Sequence, residues 1–158
     1  MFNRHRLKQL ALASLFLAPS LLVADAGQLV GTWQCQQQLT PDPQIRVQLK
    51  YEHQFNPNRQ FNLAGQLTAG LGNNTLAYRF RGDGDWSLEG QRLLIATANS
   101  EFLPDNATAQ QFHDLGILKA DQFNNLQSQD YFEIIKLNHQ ELQLKHTRED
   151  FMTRCQRL

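Results

Sequence analysis

The chain has few cysteines, few tryptophans and no long apolar run beyond its N-terminal segment. Its 158 residues include two cysteines and two tryptophans, and its basic and acidic residues are equal in number at 15 each. The basic residues form no stripe, which argues against a nucleic-acid partner. No segment after residue 26 approaches the roughly 20 apolar residues of a membrane-spanning helix. We therefore expect no transmembrane segment in the mature chain and no nucleic-acid binding.

Catalytic motifs are also missing. No serine lies in a nucleophile elbow, and no glycine-rich loop has the Walker or the dinucleotide-binding form. The histidines at 53, 113, 139 and 146 have no spacing, with one another or with cysteine, that makes a chelate. Asp83 and Asp85 lack the remainder of a calcium-binding loop. We expect no enzymatic activity, no metal site and no cofactor.

The N-terminal segment has the three parts of a secretory signal. Arg4, Arg6 and Lys8 precede a short apolar stretch over 10–23, which is followed by Ala24-Asp25-Ala26. This order predicts a cleaved signal peptide over residues 1–26 and a periplasmic or secreted protein. An uncleaved membrane anchor is the alternative. Cleavage before Gly27 would leave one domain, residues 27–158, with a net charge of −2.

The two cysteines lie near opposite ends of this predicted domain. An even pair in an oxidising compartment favours a disulfide between Cys35 and Cys155, and two free thiols are the alternative. A bridge would join the first and last segments, as the closure of a barrel would.

Strict alternation of apolar and polar residues is the clearest pattern in the chain. Odd positions from 45 to 55 are apolar, aromatic or histidine, while the even positions between them are polar. Similar runs follow over 61–71, 76–80, 132–137 and 141–146, and turn residues separate most of them. A further apolar strand is predicted over 93–96 and a closing strand over 151–157, while Gly82–Asp85 reads as a turn or a bulge. About eight or nine strands in this order predict an all-β protein, an up-and-down antiparallel β-barrel.

Residues 99–128 interrupt the strand pattern. Pro104 is followed by a potential helix cap at Asp105 or Asn106, then by a helical stretch over 107–115 and a break at Gly116. Insertions of this length are often lids or binding loops. A surface plug that merely covers one end of the barrel is the alternative.

The inward-facing apolar stripe is the candidate binding surface, because a small apolar ligand needs an apolar pocket with few polar groups. We expect the glycine at 65 to leave room on this face. His53 is either a polar anchor in a cavity or a hydrogen-bonded residue near the barrel mouth, and a fully packed core is the alternative to a cavity. The candidate lining residues are Leu49, Tyr51, His53, Phe55, Phe61, Leu63, Leu67, Tyr78 and Phe80.

The first predicted strand, Leu29-Val30-Gly31-Thr32-Trp33, resembles the Gly-x-Trp opening of lipocalins, and residues 84–90 and 138–144 resemble strand–turn–strand segments of small bacterial lipocalin-like domains. The chain lacks the long C-terminal helix and the mid-chain Thr-Asp-Tyr signature of classical lipocalins. The resemblance is therefore to the wider lipocalin-like group. It implies that Trp33 closes one end of the barrel and that an arginine near the last strand, Arg154 or Arg157, packs over it.

The resemblance and the apolar stripe lead to two functional expectations. The first is an exported binding protein that holds a small apolar or amphipathic ligand inside the barrel. The second is an interaction module with a solid barrel that binds another protein of the cell envelope.

Overall fold

The computed structural model describes residues 24–158, through which eight strands run in an up-and-down order. Each strand pairs antiparallel with the next, and the last pairs with the first, so the sheet closes into a barrel. The predicted all-β, up-and-down barrel is confirmed. The elements are α1 (Ala26–Leu29), β1 (Gly31–Asp42), β2 (Ile45–Phe55), β3 (Gln60–Leu71), β4 (Asn74–Glu89), β5 (Arg92–Pro104), α2 (Ala107–Asp114), a 3₁₀ turn (Ala120–Phe123), β6 (Ser128–Leu137), β7 (Glu141–His146) and β8 (Met152–Arg157).

The predicted signal peptide lies almost wholly outside the described residues. Only its last three residues, 24–26, fall within them, and Asp25 caps α1 by accepting a hydrogen bond from the Gly27 amide. The domain boundary at residue 27 therefore stays a prediction.

The alternation read from the sequence sets the inner and outer faces. In β2 and β3 the register runs without a break from Ile45 opposite Leu71 to Phe55 opposite Phe61. Successive side chains point to opposite faces of a strand, so the odd positions of both strands line the barrel interior. The burial of the side chains alternates in the same way: His53 and Phe55 are buried, whereas Glu52 and Gln54 are exposed.

The sequence left a turn or a bulge open for residues 82–85, and the bulge is confirmed, whereas the start of the insertion differs from the expectation. Residues 82–85 form no turn; they lie inside β4, which is 16 residues long, and a register shift between Asp83 and Gly84 marks a bulge. β5 continues to Pro104, so the first six residues of the expected insertion belong to a strand. Both segments stay extended because β4 is paired along this stretch with β3 on one side and β5 on the other.

The barrel is much longer on one side than on the other. β7 and β8 each have six residues, whereas β1 to β5 have 11 to 16. β8 reaches β1 only over Trp33–Gln37, and β6 reaches β5 only over Arg92–Thr97. Beyond these pairings the distal halves of β1 to β5 form a curved sheet, which we call the open end. The opposite end, at Trp33, is the closed end.

The disulfide lies at the seam where the barrel closes. Cys35 and Cys155 are directly opposite each other on β1 and β8, with their Cα atoms 4.0 Å apart, and they are bonded. Both side chains are buried in the main core. The predicted bridge is confirmed, and it holds the first strand to the last.

Gly65 and Gly84 mark places where neighbouring strands come unusually close. A Cβ atom at Gly65 would lie 2.2 Å from the Lys50 carbonyl oxygen, and one at Gly84 would lie 2.0 Å from that of Ala96. Glycines at such points let a sheet curve into a barrel. The expectation that Gly65 leaves room for a ligand is therefore wrong, since the backbone of β2 occupies that space.

The helical elements are short, and Ala109 of α2 and Ala120 of the 3₁₀ turn pack against the inner-face residues Leu76 and Tyr78. No helix within residues 24–158 has the length and apolar character needed to cross a membrane. α1 packs at the closed end, where Leu29 is fully buried. α2 packs on β4 and β5 at the open end.

Candidate functional site

All nine candidate lining residues lie on the inner face of β2, β3 or β4. Four of them are buried: His53, Phe55, Phe61 and Tyr78. The other five are half-buried: Leu49, Tyr51, Leu63, Leu67 and Phe80. On β2 and β3 the inner-face residues become more accessible toward the open end, whereas on β4 Tyr78 and Leu76 are buried there.

The closed end is a packed core. Phe55 meets Trp86 edge to face at 5.7 Å between ring centroids, and the His53 ring stacks on Phe55 at 4.0 Å. Phe61 is fully buried in the same cluster. Phe55 and Phe61 thus form the floor under His53.

His53 is a buried imidazole with an unsatisfied nitrogen. Its side chain is 5% exposed, and its Nε2 atom has no hydrogen-bond partner among the described residues. Burial among aromatic rings lowers the pKa of His53 to about 3, so the ring is neutral at physiological pH. An orphaned polar atom in a buried position costs about 1–3 kcal/mol, and a ligand group could satisfy it.

Tyr78 is a second buried residue with an orphaned polar atom. The side chain is 1% exposed, and its hydroxyl oxygen also lacks a partner within the described part of the chain. Burial raises the pKa of Tyr78, so the phenol stays protonated and can donate or accept a hydrogen bond. Its ring stacks on Phe102 of β5, with 4.9 Å between centroids.

A satisfied polar network lies beside these two groups. The Tyr51 side chain hydrogen-bonds Thr153, and Thr153 donates to Gln37 Oε1 at 3.3 Å. Burial raises the pKa of Tyr51 to about 12, and the hydrogen bond between Tyr51 and Thr153 offsets part of this rise. Sequence reasoning missed Thr153 and Gln37, although Gln37 is in phase with Trp33 and Cys35 and so had to face inward.

The helical insertion covers the β4 side of the open end. Asn106 is the cap: its side-chain oxygen accepts from the Ala109 amide at 2.8 Å, and its side-chain nitrogen donates to the Thr75 carbonyl. Ala109 and Ala120 are buried in a small second cluster with Leu76 and Tyr78. Their small side chains let the insertion approach the sheet closely, and they gave no signal in the sequence.

One of the two candidate arginines packs over the first tryptophan. The guanidinium of Arg157 lies 4.2 Å from the Trp33 ring centroid and donates to the carbonyls of Gln28 and Val30. Arg154 is exposed on the outer face. A further pair, which the sequence did not suggest, places Arg59 4.4 Å from the Trp86 ring.

Two further histidines, His113 and His146, serve local structure. His113 Nδ1 accepts from the Ala120 amide, and His146 Nδ1 accepts from the amides of Arg148 and Glu149. Within residues 24–158, no group of three or more His, Cys, Asp or Glu side chains is placed to hold a metal ion.

Open grooves also lie on the outer face of β2 to β5. The larger has a volume of about 790 Å³ and includes Lys50, Glu52, Arg79 and Arg81 in its lining. Arg79 is paired with Asp105 at 2.7 Å, and Arg81 is paired with Glu101. Both arginines of this groove are therefore paired with carboxylates of the chain itself.

No protein-family model matches the chain, and no curated protein matches it at a significant level. The closed eight-stranded barrel is consistent with a lipocalin-like domain.

The buried neutral state of His53 predicts a pH-dependent stability. In the unfolded chain the pKa of histidine is about 6.5. Below that pH the unfolded chain therefore binds a proton that the buried ring of the folded protein does not bind. Stability is therefore complete above pH 6.5 and falls as the pH drops toward 3, by up to about 1.4 kcal/mol per pH unit from this group. Urea unfolding at pH 7 and pH 5 should show this loss, and His53→Leu should reduce it by about 2 kcal/mol. An equal loss in the variant would contradict the role of His53.

Proposed function

We propose that this protein is an exported binding protein that holds a small apolar or amphipathic molecule on the inner face of its open end. One observation carries the proposal: His53 Nε2 and the Tyr78 hydroxyl are buried, face the interior and lack partners among the described residues. Native proteins satisfy nearly all such atoms, and the exceptions often mark functional sites. A bound molecule would satisfy them.

The residue types and partial exposure of the inner face support the same proposal. Leu49, Leu67 and Phe80 lie between the buried floor and the open end, and each is half-buried. Aromatic and aliphatic walls with a few polar groups are the usual lining of small-molecule sites. We propose that binding, rather than catalysis, is the activity, and that export through the predicted signal peptide brings the protein to the periplasm or the medium.

The disulfide supports the proposed location. A bridge between Cys35 and Cys155 persists in oxidising compartments and is rare in the cytosol of most organisms.

The test uses the neutral fluorescent probe N-phenyl-1-naphthylamine, which brightens in apolar sites. We expect saturable binding that weakens at least about tenfold in Leu49→Trp, because the larger side chain fills the inner face; that factor corresponds to about 1.4 kcal/mol. Lys50→Trp is the matched control, since Lys50 is the next residue and faces outward into the outer groove. Retained binding in Leu49→Trp with a loss in Lys50→Trp would move the site to the outer groove.

A second candidate function is the envelope interaction module, and one observation favours it. Leu115 and Ile117, between α2 and the 3₁₀ turn, are 64% and 63% exposed. Exposed apolar side chains that cluster on a surface can mark a protein interface. Probe binding that disappears in Leu115→Ser with Ile117→Ser, and survives in Leu49→Trp, would favour this function.

A further inference from the structure

The charges on the inner face limit what the proposed site can hold, and this inference rests on the proposed function. Among the side chains that the structure describes, strand alternation and register place two charged residues on that face. Arg157 lies at the closed end, and Asp130 lies at the start of β6, opposite the buried Ile95. Lysine and glutamate side chains of the strands point to the outer face.

Neither charge is available to pair with an anionic ligand. The Arg157 guanidinium stacks on Trp33 and donates to the carbonyls of Val30 and His139 at 2.9 Å each. Asp130 is itself an anion; one of its oxygens lies 3.5 Å from His146 Nε2, and the other accepts from the Ser128 hydroxyl. A carboxylate or phosphate on the inner face would meet the anion Asp130 and no free cation among the described side chains of that face.

The two orphaned groups are themselves uncharged. His53 is a neutral imidazole, whose Nε2 donates or accepts according to its tautomer, and the Tyr78 phenol does both. Burying an ionised group beside neutral partners costs far more than a neutral hydrogen bond returns. A hydroxyl or carbonyl group, by contrast, complements either residue without any charge.

The walls around these groups are aromatic. Tyr78 and Phe102 stack with 23° between their planes, and Phe80 and Phe102 are inclined by 21°. The ring centroids of Tyr51 and Phe80 lie 5.9 Å apart, and those of Tyr51 and His53 lie 6.2 Å apart. Tyr51 therefore connects this group of rings to His53. Faces and edges of rings pack well against another ring.

We infer that the ligand is an uncharged, ring-containing molecule whose hydroxyl or carbonyl group reaches His53 Nε2 or Tyr78 Oη, and that fatty acids and other anions are excluded. The specificity follows from the absence of a free cation on the described inner face and from the two neutral orphaned groups.

The experiment displaces N-phenyl-1-naphthylamine from the wild-type protein at pH 7 with three competitors of similar size: 2-naphthol, naphthalene and 2-naphthoate. We expect 2-naphthol to compete at least about tenfold better than 2-naphthoate, and about fivefold better than naphthalene. Tyr78→Phe and His53→Leu should each reduce the advantage of 2-naphthol over naphthalene, so that the two compete within about twofold of each other.

The possible results distinguish a failure of this inference from a failure of the proposed function. If the probe binds and 2-naphthoate competes as well as 2-naphthol, the charge selectivity is wrong although a binding barrel remains. If 2-naphthol and naphthalene compete equally, the orphaned groups do not contact the ligand and the inference is overturned. If the probe does not bind, or binds only through Leu115 and Ile117, the proposed function fails and the inference fails with it. The wild-type competition order decides the matter even if a variant does not fold.

Discussion

Replacing Cys35 and Cys155 together with alanine should lower the free energy of unfolding by about 5 kcal/mol. The bridge spans 120 residues, and in the chain-entropy model a loop of that length restricts the unfolded chain by this amount. It also joins β1 to β8, the one pairing in the barrel between strands distant in sequence. Since small domains are stable by only about 5–15 kcal/mol, the variant should be marginally folded.

Urea unfolding followed by tryptophan fluorescence measures this loss, with the oxidised wild type as reference. Wild-type protein whose disulfide has been reduced during unfolding is the control, because it removes the cross-link without changing a side chain. A loss below about 1 kcal/mol in both samples would show that the hydrogen bonds of the closing seam hold the barrel without the bridge.

Replacing Gly65 with alanine should lower the free energy of unfolding by about 3 kcal/mol, as overpacking of a close backbone contact does. The added Cβ would meet the Lys50 carbonyl at 2.2 Å and the Tyr51 Cβ at 2.4 Å. Both neighbours belong to β2, which is paired with β3 along its whole length, so neither can move away without breaking the register.

Gly70→Ala is the matched control on the same strand. A Cβ there would have no atom within 4 Å, so the change should leave stability unaltered or raise it by about 0.5 kcal/mol. Equal effects of the two substitutions in urea unfolding would show that glycine at 65 is not needed for the curvature of the barrel. A larger effect at Gly65 would support its role as the point where β2 and β3 approach.

Part of the candidate site could be predicted from the sequence alone. Residue alternation alone placed Tyr51, His53 and Tyr78 on one face, because the pleat of a strand allows no other arrangement. It gave no means to see that Thr153, which is distant in the chain, hydrogen-bonds Tyr51, or that His53 Nε2 has no partner among the described residues. Which polar groups find partners depends on the register between β1, β2 and β8, and local sequence does not encode that register.

Local chemistry in this chain determined the strands, most of their turns, a helix cap at Asp105 or Asn106, and the pair of cysteines able to close the barrel. The strands, turns and cap follow from interactions between residues that are near in sequence. The bridge follows from the presence of one pair of cysteines. The tertiary structure decided which arginine covers Trp33, that the space beside Gly65 is filled by backbone, and that the barrel is long on the β1–β5 side. It also decided which side chains lie on the inner face, where the described residues include no free cation. Each of these results depends on the distances between strands that meet only when the barrel closes, so only the closed structure could supply them.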